Sequence, residues 1–477
     1  MKYLKKLIRP IIYIVLSIVL VIIIRAWESR SLPDLKAWHT TAIDKELLVS
    51  NDYENIDSYL KDEDAYIRKM FAEVADSSLG KFNRFNPKSV SYPLFKDDNL
   101  NASFVMDPGV TNTKGVILLV HGLSDSPYHM RALGEVYKKE GFYVFGLRLP
   151  GHGTLPSGLL NVTWQQWLKA TKWAAEQTHR IAAERGNVPF YMGGFSTGGA
   201  LVLNYSYRAL DNPKLHKPKK LFLFSPAIGV SKLAVVSAWH KLLSWMPYFS
   251  KFKWLDIWPE YDPAKYNSFT KNAGRQIYLL TLDNIDRVDN IAKSNRQNEL
   301  PAIISFQSLV DATVIPKDLF EMYKQLGTSK DELFVFDINR VYKDFMKPQV
   351  LHIDPRNIRF TQDSKPQLHM LINNVVPDSI YGPIACGVYA LDSNNELVDK
   401  YPNHHTTWPI ECFAISHVAV PIAPDNAAYG ANSIIGRLSV HGERNVLLIP
   451  AADIMRIRYN PFFDLMKMEI HDFLQKP

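Results

Sequence analysis

Beyond residue 113 the chain alternates between short apolar runs and longer amphipathic segments. The runs are continuous and rich in β-branched and aromatic residues, which is typical of strands buried on both faces of a sheet. Six are found: GVILLVHG, YVFGLRLPGHG, PFYMGGFS, KKLFLFSPAIG, LPAIISFQSLVDATV and DELFVFDINR. This alternation predicts an α/β fold with a mostly parallel sheet flanked by helices.

The segments between these runs have the patterns of helices. Thr163 and Gln166 occupy the capping-box positions of TWQQWLKATKWAAEQTHRIAAER. Ser126 is placed to cap the helix after the first run, with Pro127 in its first turn, and another helix is expected from about Pro316. Each helix follows a strand, as a parallel sheet requires.

Two insertions interrupt the alternation, and three regions are expected along the chain. Residues 1–30 are a basic tail and an apolar helix, 31–100 a helical lead-in, and 101–477 the α/β domain. Within the domain, residues 230–270 are rich in aromatic residues and predict a cap that lines an apolar pocket. A second insertion covers 341–410 and includes IACGVYALDSNNELVDKY, which has the pattern of a strand, a turn and a strand.

The N-terminus predicts a membrane anchor. Residues 11–24 are apolar apart from Ser17, and the flanking apolar residues extend the run to the roughly 20 residues that a bilayer requires. The segment RAWESRS offers no small-residue cleavage site, so an uncleaved helix is favoured over a signal peptide. Lysines and arginine precede the span, which predicts a cytoplasmic N-terminus and an extracytoplasmic domain, periplasmic in a bacterium.

Composition narrows the function classes. The net charge is +7, of which four charges lie before the apolar helix, and no basic, aromatic-interleaved surface indicates nucleic acid. Cys386 and Cys412 are the two cysteines, and the sequence leaves open whether they form a disulfide or remain thiols. No Cys/His cluster has the spacing of a zinc site, so neither a metal nor another cofactor is expected.

Chemistry-bearing residues fall at the predicted strand ends. GGFSTGG places Ser196 between Gly194 and Gly198 in a G-x-S-x-G pattern, on a tight turn from a strand to a helix. Two backbone N–H groups would hold the negative oxygen of a reacting carbonyl: that of Thr197, and that of Leu123 in the loop LLVHGLSDSP. In parallel sheets, functional residues collect at the carboxyl ends of the strands.

Four motifs in order resemble the serine α/β-hydrolases, in particular the branch of monoglyceride lipases, carboxylesterases and serine aminopeptidases. They are VHGLSDSP, RLPGHGTLPSGLLNVTWQQWL, GGFSTGGAL and FQSLVDATV, and they cover residues 113–340. The membrane-anchored layout also resembles bacterial members of this superfamily. The resemblance implies a Ser–acid–His chain order, and it gives His121, Gly122 and His152 roles in shaping loops rather than in proton transfer.

The acid is expected to be Asp311, directly after the strand AIISFQSLV. Asp283 in a predicted helix and Asp337 in a predicted strand are weaker alternatives. The base is harder to assign, because the strand ELFVF has no histidine after it at the spacing usual for the family. His417 is favoured, since an apolar run ends in Ser-His before a Pro-punctuated loop; the alternatives are His352, which alternates like a strand interior, His369, His404, His405 and His441.

These residues predict a membrane-anchored serine hydrolase that cleaves esters with an apolar acyl group. Ser196 would attack the carbonyl, His417 would carry the proton, and Asp311 would orient His417. Two alternatives remain: the same residues could serve an acyltransferase, a thioesterase or an aminopeptidase, or the fold could be a non-catalytic, membrane-tethered binding module. The expected partners are a small-molecule or lipid ester and the membrane, and the sequence does not indicate an oligomeric state.

Overall fold

The computed structural model describes residues 2–43, 46–50, 52–229, 247–360, 366–373, 384–391, 396–404, 406–409, 411–433, 436 and 450–477. Its α-helices are α1 (Lys2–Ser31), α2 (Ala37–Thr40), α3 (Leu47–Ser50), α4 (Ile56–Val74), α5 (Tyr128–Lys139), α6 (Trp164–Glu184), α7 (Thr197–Ala209), α8 (Lys271–Lys293), α9 (Pro316–Leu326), α10 (Pro348–Leu351), α11 (Ala451–Ile454) and α12 (Phe463–Gln475). Most of the helices in the α/β domain follow a strand, as the alternation predicts.

The strands are β1 (Phe104–Met106), β2 (Gly115–Val120), β3 (Phe142–Leu147), β4 (Phe190–Phe195), β5 (Lys220–Phe224), β6 (Trp254–Asp256), β7 (Phe269–Thr270), β8 (Ala302–Ser308), β9 (Glu332–Phe336), β10 (Gln367–Asn373), β11 (Ile384–Leu391), β12 (Leu397–Asp399) and β13 (Thr406–Trp408). The main sheet has the order β1-β3-β2-β4-β5-β8-β9-β10-β11-β12, and β13 also pairs with β11. Neighbours from β3 to β10 run parallel, whereas β1 and the strands after β10 are antiparallel. The mostly parallel sheet is therefore confirmed, with β1 as an additional edge strand.

Alternate residues of β2 show how the sheet divides the core. Val116, Leu118 and Val120 belong to a cluster with the buried faces of α6, α7, α8 and α9. Ile117 and Leu119 point to the other face and pack in a cluster with α5 and α12. Because side chains alternate across a strand, a run of six apolar residues fits a strand covered by helices on both faces.

The lead-in segment packs on the domain through a buried ionic network. Glu63 of α4 is fully buried and accepts a hydrogen bond from Arg148 Nε at 2.8 Å, while Glu46 lies 3.1 Å from Arg148 Nη2. Arg148 also donates to the backbone oxygen of His152 at 2.8 Å. The network therefore joins the lead-in to the loop after β3.

The structure describes parts of both predicted insertions. The second insertion extends the sheet, and β11 and β12 pair antiparallel as the two expected strands; residues 392–395 between them lie outside the described residues. In the first, residues 230–246 lie outside the described residues, and a 3₁₀ helix (Pro247–Lys253) leads into the β6–β7 hairpin. Trp254 is buried and packs edge-on against His39 of the lead-in, 4.8 Å between ring centroids. Pocket lining by the cap and the three region boundaries stay predictions.

Three smaller sequence expectations are wrong. His352 does not lie in a strand: Pro348 begins the short helix α10, and His352 is exposed at its end. Ser126 does not cap α5; Pro127 occupies the N-cap position, and the Ser126 hydroxyl donates to the Leu100 carbonyl at 3.4 Å instead. Asp337 lies one residue beyond β9, where it pairs with Arg340 at 2.6 Å.

Candidate active site

Ser196 occupies the turn between β4 and α7 in a strained backbone conformation. Its φ is 53° and its ψ −116°, a combination that L-residues rarely adopt. The turn is held by hydrogen bonds from the Ser196 N–H to the Phe224 carbonyl and from the Ala227 N–H to the Ser196 carbonyl, both 3.0 Å. The nucleophile candidate is therefore fixed against the end of the neighbouring strand β5.

Two glycines make this turn possible by close approach. A Cβ on Gly194 would lie 2.3 Å from the carbonyl carbon of Gly198, and a Cβ on Gly198 would lie 2.0 Å from the carbonyl oxygen of Val120. A side chain at Gly194 would therefore push the start of α7 away from β4, and a side chain at Gly198 would push it away from β2. The glycines of the G-x-S-x-G pattern bring the N-terminus of α7 against the end of the sheet.

The two N–H groups expected to hold an oxyanion come from separate elements. Thr197 is the first residue of α7, and Leu123 lies in the loop after β2. Among the described residues, neither N–H donates a hydrogen bond. Both donors therefore remain available to a ligand oxygen, and their role stays a prediction.

His121 and Gly122 shape the loop that contains Leu123. Nε2 of His121 accepts a hydrogen bond from the Leu149 N–H at 3.0 Å, so its Nδ1 donates to the Gly122 carbonyl at 2.8 Å. A Cβ on Gly122 would lie 2.5 Å from a carboxylate oxygen of Asp125 and 3.0 Å from the Phe195 ring. Burial, followed by the neighbouring His152, holds the pKa of His121 well below its usual range. His121 is therefore neutral and built into the loop.

His152 is also buried and neutral. Its Nδ1 donates to the Pro150 carbonyl at 3.0 Å, and its ring lies 5.1 Å from that of His121. Burial lowers the pKa of His152 to about 4. These contacts fit the loop-shaping role that the resemblance implies, and both histidines have their Nδ1 protons committed to the backbone.

His417 and Asp311 are in direct contact although 106 residues separate them in the chain. His417 opens a 3₁₀ turn, His417–Ala419, and its Nδ1 lies 2.7 Å from Oδ2 of Asp311, just beyond the end of β8. Both side chains are almost entirely buried. Of the candidate histidines in the described residues, His417 is thus the one whose ring contacts the Asp311 carboxylate.

Asp311 is held in its ionised form by several donors. Burial would raise its pKa, but the charge and hydrogen bond of His417 and the N–H groups of Val314 and Thr313 outweigh burial and lower it. Those two N–H groups donate to Oδ1 at 3.0 and 2.8 Å, and Gln307 Nε2 donates to Oδ2 at 3.2 Å. The carboxylate is therefore oriented so that one oxygen faces His417.

Phe195 brings the two halves of the site together. It directly precedes Ser196, and its ring centroid lies 4.9 Å from that of His417. The sheet order β4-β5-β8 places the end of β4, with Ser196, two strands from Asp311. Phe195 and Gln307 were missed as supporting residues; both stand inside motifs quoted above, but nothing in the motifs shows which way their side chains point.

The other candidate residues lie elsewhere. Asp283 is in α8 and pairs with Arg208 and Arg287, at 3.0 and 2.7 Å. His369, in β10, is buried, and its Nδ1 lies 2.8 Å from Oε2 of Glu469. His404 lies in a turn after β12. His405 and His441 lie outside the described residues. Among the described alternatives, His352 is thus exposed and His404 half-buried, whereas Asp283, Asp337 and His369 pair with other side chains.

One group of buried side chains has the composition of a metal site. Ligand atoms of Glu332, His369 and Glu469 lie within 4.8 Å of one another, at the opposite end of the sheet from Ser196. Lys400 already lies 2.8 Å from Glu469, and Lys476 pairs with Glu332. These ammonium groups supply the positive charge that a cation would otherwise provide, so the group is explained as a buried ion-pair network.

The cysteines are separate thiols. Cys386 and Cys412 are both buried and unbridged, and burial raises the pKa of each to about 12. Neutral, buried thiols are unreactive at ordinary pH. Of the two possibilities left open by the sequence, the structure therefore has the pair of thiols.

Comparison with known proteins finds a family model and a curated relative that are similar to part of this chain. Residues 111–337 match the family model described as serine aminopeptidase, S33. A thermostable monoacylglycerol lipase of Bacillus sp. (strain H-257) is 33% identical over 103 residues, which cover 21% of this chain and 36% of that protein. The alignment thus spans about a third of the length of that curated relative.

Solved structures are more distant. A structure from work on the metagenome-derived lipolytic enzymes LipS and LipT has a TM-score of 0.38 and 20% identity, covering 49% of this chain and 86% of that one. A soluble variant of monoglyceride lipase from Saccharomyces cerevisiae has a TM-score of 0.38 and 17% identity, covering 49% and 81%. The region that matches the family model contains the strands from β2 to β9 and the serine turn described above, so this part of the chain is similar to the serine hydrolases of that family.

Proposed function

We propose that the protein is a membrane-anchored serine hydrolase that cleaves carboxylic esters, with Ser196, His417 and Asp311 as its catalytic residues. One observation carries the proposal: His417 Nδ1 lies 2.7 Å from Asp311, at the same sheet edge as the strained serine turn. The monoacylglycerol lipase relative supports an ester with an apolar acyl group as the substrate.

The contact with Asp311 defines which nitrogen of His417 does the chemistry. A carboxylate accepts hydrogen bonds and donates none, so Nδ1 of His417 carries a proton and Nε2 has a free lone pair. Nε2 then accepts the proton of Ser196 as the hydroxyl oxygen attacks the ester carbonyl. Asp311 stabilises the resulting imidazolium, and this favours the transfer of a proton from the serine hydroxyl, which is a very weak acid.

The rest of the cycle follows from proton balance. The N–H groups of Leu123 and Thr197 hold the negative oxygen of the tetrahedral intermediate. As the intermediate collapses, His417 returns the proton to the leaving alcohol and an acyl-Ser196 ester remains. Water then loses a proton to His417, attacks this ester, and releases the acid and the free serine.

The N-terminal helix supports attachment to a membrane. Among the described residues, one helix segment, Ile12–Ser31, is long and apolar enough to span a bilayer, with mean hydropathy 2.1 and only 6% of the window buried. Beyond its end, Lys251 Nζ donates to the Leu32 carbonyl at 2.9 Å and pairs with Asp34 at 2.8 Å. The basic residues before the span favour a cytoplasmic N-terminus and an extracytoplasmic domain.

A series of 4-nitrophenyl esters tests the activity. The full chain in detergent micelles is expected to hydrolyse butyrate to dodecanoate esters, with longer chains favoured, and Ser196→Ala is expected to abolish turnover. No hydrolysis by the folded wild type would refute the proposal, and a preference for acetate would refute the apolar acyl group. Thioesters, competing alcohols and amino-terminal amides in parallel would identify a thioesterase, an acyltransferase or an aminopeptidase.

Membrane attachment is tested separately by extraction. The protein is expected to stay in the membrane pellet at alkaline pH and to dissolve only in detergent, because an apolar helix is not held by charge. A reporter enzyme fused to the C-terminus and active only outside the cytoplasm is expected to be active. Release at alkaline pH would argue against the span, and an inactive reporter would argue against the orientation.

A further inference from the structure

A segment near the C-terminus runs beside the catalytic histidine. The hydroxyl of Ser416 donates to the carbonyl of Ile457, and the N–H of Asn460 donates to the carbonyl of Ile422 at 2.9 Å. Ser416 directly precedes His417. These bonds fix the segment 456–458 alongside the His417 loop, and Ile457 is flanked by Arg456 and Arg458.

The side chain of Arg456 extends toward the loop of the catalytic acid. Its Nη2 lies 3.1 Å from the hydroxyl oxygen of Thr313, two residues after Asp311. The residue is half-buried, yet no carboxylate among the described residues forms an ion pair with it. Arg148, the buried arginine of the lead-in network, is instead held by two glutamates. Within the described part of the chain, Arg456 is therefore a cation beside the Asp311 loop that has no carboxylate in direct contact.

Several charged groups at the strand ends act on the guanidinium of Arg456. Burial, followed by Arg458, lowers the pKa of Arg456, while Asp311, Asp453 and Asp125 act to raise it. Asp125 follows β2 and Asp311 follows β8, and in the sheet order these strands lie on either side of β4, which carries Ser196. The charges of carboxylates on both sides of β4 therefore act on the Arg456 guanidinium, and its contact with Thr313 places it beside the Asp311 loop.

Arg458 differs from its neighbour. Its Nη2 lies 3.2 Å from the hydroxyl of Tyr261, and burial, which would lower its pKa, is outweighed by Tyr261, Asp262 and Tyr429, which raise it. Asp262 is fully buried. Arg458 thus has its hydrogen bond to Tyr261 and the buried carboxylate of Asp262 beside it instead of Asp311, and it links the C-terminal segment to the end of the first insertion.

A purely structural role would use few of the hydrogen-bond donors of the Arg456 side chain. A guanidinium has five N–H donors in a planar fork, and one hydrogen bond to a described side chain, that of Thr313, is present. A carboxylate or a phosphate is the group that this fork binds best, through two parallel hydrogen bonds. An ester that carries such a group would bring the missing negative charge.

We propose that Arg456 is a specificity-determining residue that binds an anionic group, a carboxylate or a phosphate, on the ester substrate. The inference rests on the proposed esterase function, because it names the substrate class of the same site. The anion would lie beside the scissile ester, within reach of the guanidinium but apart from the oxyanion donors on Leu123 and Thr197.

Two matched pairs of esters test the proposal with the full chain in detergent micelles. The first is the 4-nitrophenyl monoester of glutaric acid against 4-nitrophenyl pentanoate, which places the anion on the acyl side. The second is 1-lauroylglycerol 3-phosphate against 1-lauroylglycerol, which places it on the alcohol side. The quantity measured is the ratio of kcat/KM for the anionic ester to kcat/KM for the neutral one.

Arg456→Gln is expected to lower this ratio about 10–100-fold in one of the two pairs, as expected for a hydrogen bond to a charged group. The pair that responds identifies the side of the ester that carries the anion. Arg456→Lys is expected to retain part of the ratio, and sodium chloride is expected to reduce it in the wild type. Arg458→Gln, which removes the same charge, is the matched control and is expected to keep the wild-type ratio.

Equal ratios in the wild type and Arg456→Gln for both pairs would overturn the proposal, as would an equal fall in both variants. If the wild type hydrolyses the neutral esters but Arg456→Gln leaves the ratio unchanged, the esterase function stands and only this inference fails. If the wild type hydrolyses none of the four esters, the esterase function fails and this inference fails with it.

Discussion

Ser196 and the Asp311–His417 pair lie at the same edge of the sheet but are built differently. The serine turn is local: Gly194 and Gly198 leave room for α7 to approach β2, and five consecutive residues contain the whole pattern. The proposed acid–base pair is long-range, since a loop after β8 and a loop 106 residues later are joined by a 2.7 Å contact. Local backbone sterics therefore specify the serine turn, whereas the packing of the whole domain specifies the acid–base pair.

Among the substitutions that test this comparison, replacing His417 should have the largest effect on kcat. His417→Ala is expected to lower kcat by about 10⁴–10⁶-fold, because the serine turn stays intact but has no proton acceptor. The measurement is steady-state hydrolysis of a 4-nitrophenyl ester. His352→Ala, at an exposed histidine, is the control and is expected to retain wild-type activity. Activity retained by His417→Ala would refute its role as the base.

Asp311→Asn should have the next largest effect. The amide keeps the shape of the side chain but removes the charge that stabilises the imidazolium, and kcat is expected to fall about 10⁴-fold. Asp283→Asn, at the rejected alternative in α8, is expected to change kcat by less than about threefold, since its surface ion pairs contribute little. Similar losses in both variants would show that Asp311 has no special role in the reaction.

Replacing Asp125 tests whether the loop after β2 is also stabilised by a charge that is distant in the chain. The pKa of the Asp125 carboxyl is about 2. Burial would raise this pKa, but Lys265, whose Nζ lies 2.6 Å from Oδ1, and His129 outweigh burial and lower it. Because the folded pKa is below the ordinary value of 3.8, the carboxylate stabilises the folded protein above about pH 4, and this contribution is lost as the pH falls through 2. Asp125→Asn is expected to lower the free energy of unfolding at pH 7 by about 2 kcal/mol.

Urea unfolding followed by tryptophan fluorescence measures this loss. The difference between Asp125→Asn and wild type is expected to shrink between pH 4 and pH 2. Asp98→Asn, at a carboxylate that is half exposed where it pairs with Arg131, is expected to cost less than about 1 kcal/mol. A difference that does not change with pH would show that the charge of Asp125 is not the cause.

The smallest expected effect concerns strain at the serine turn. Because Ser196 has a positive φ, Ser196→Gly is expected to be more stable than Ser196→Ala by about 1 kcal/mol. Both variants lack the hydroxyl, so thermal or urea unfolding compares them without a contribution from catalysis. An alanine variant equal to or more stable than the glycine variant would show that the turn stores no strain at this residue.

The same contrast explains what the sequence could and could not predict. The serine turn, β2 and the capping box of α6 follow from local rules, and the structure has Thr163 and Gln166 in the expected reciprocal hydrogen bonds. His352 was expected in a strand because its neighbours alternate, but prolines on both sides impose short helical turns. Alternation alone does not distinguish a short strand from a turn.

Arg456 illustrates a harder limit. Nothing near it in the sequence indicates a functional role, and its importance arises only because its segment pairs with Ser416 and its side chain reaches Thr313. Those contacts join residues 41 and 143 positions apart. For His417 the local pattern was informative, but its contact with Asp311 depends on how the second insertion folds into the sheet through β10 and β11.

Site-mapped labelling with a fluorophosphonate tests the central claim most directly, because the reagent marks serines that have an activated hydroxyl. The folded wild type is expected to take one label per chain, on Ser196 by peptide mass spectrometry. Ser196→Ala is expected to take none, and His417→Ala is expected to react at least about 10³-fold more slowly. A label on a different serine, or equal labelling rates in wild type and His417→Ala, would contradict a Ser196 nucleophile activated by the His417–Asp311 pair.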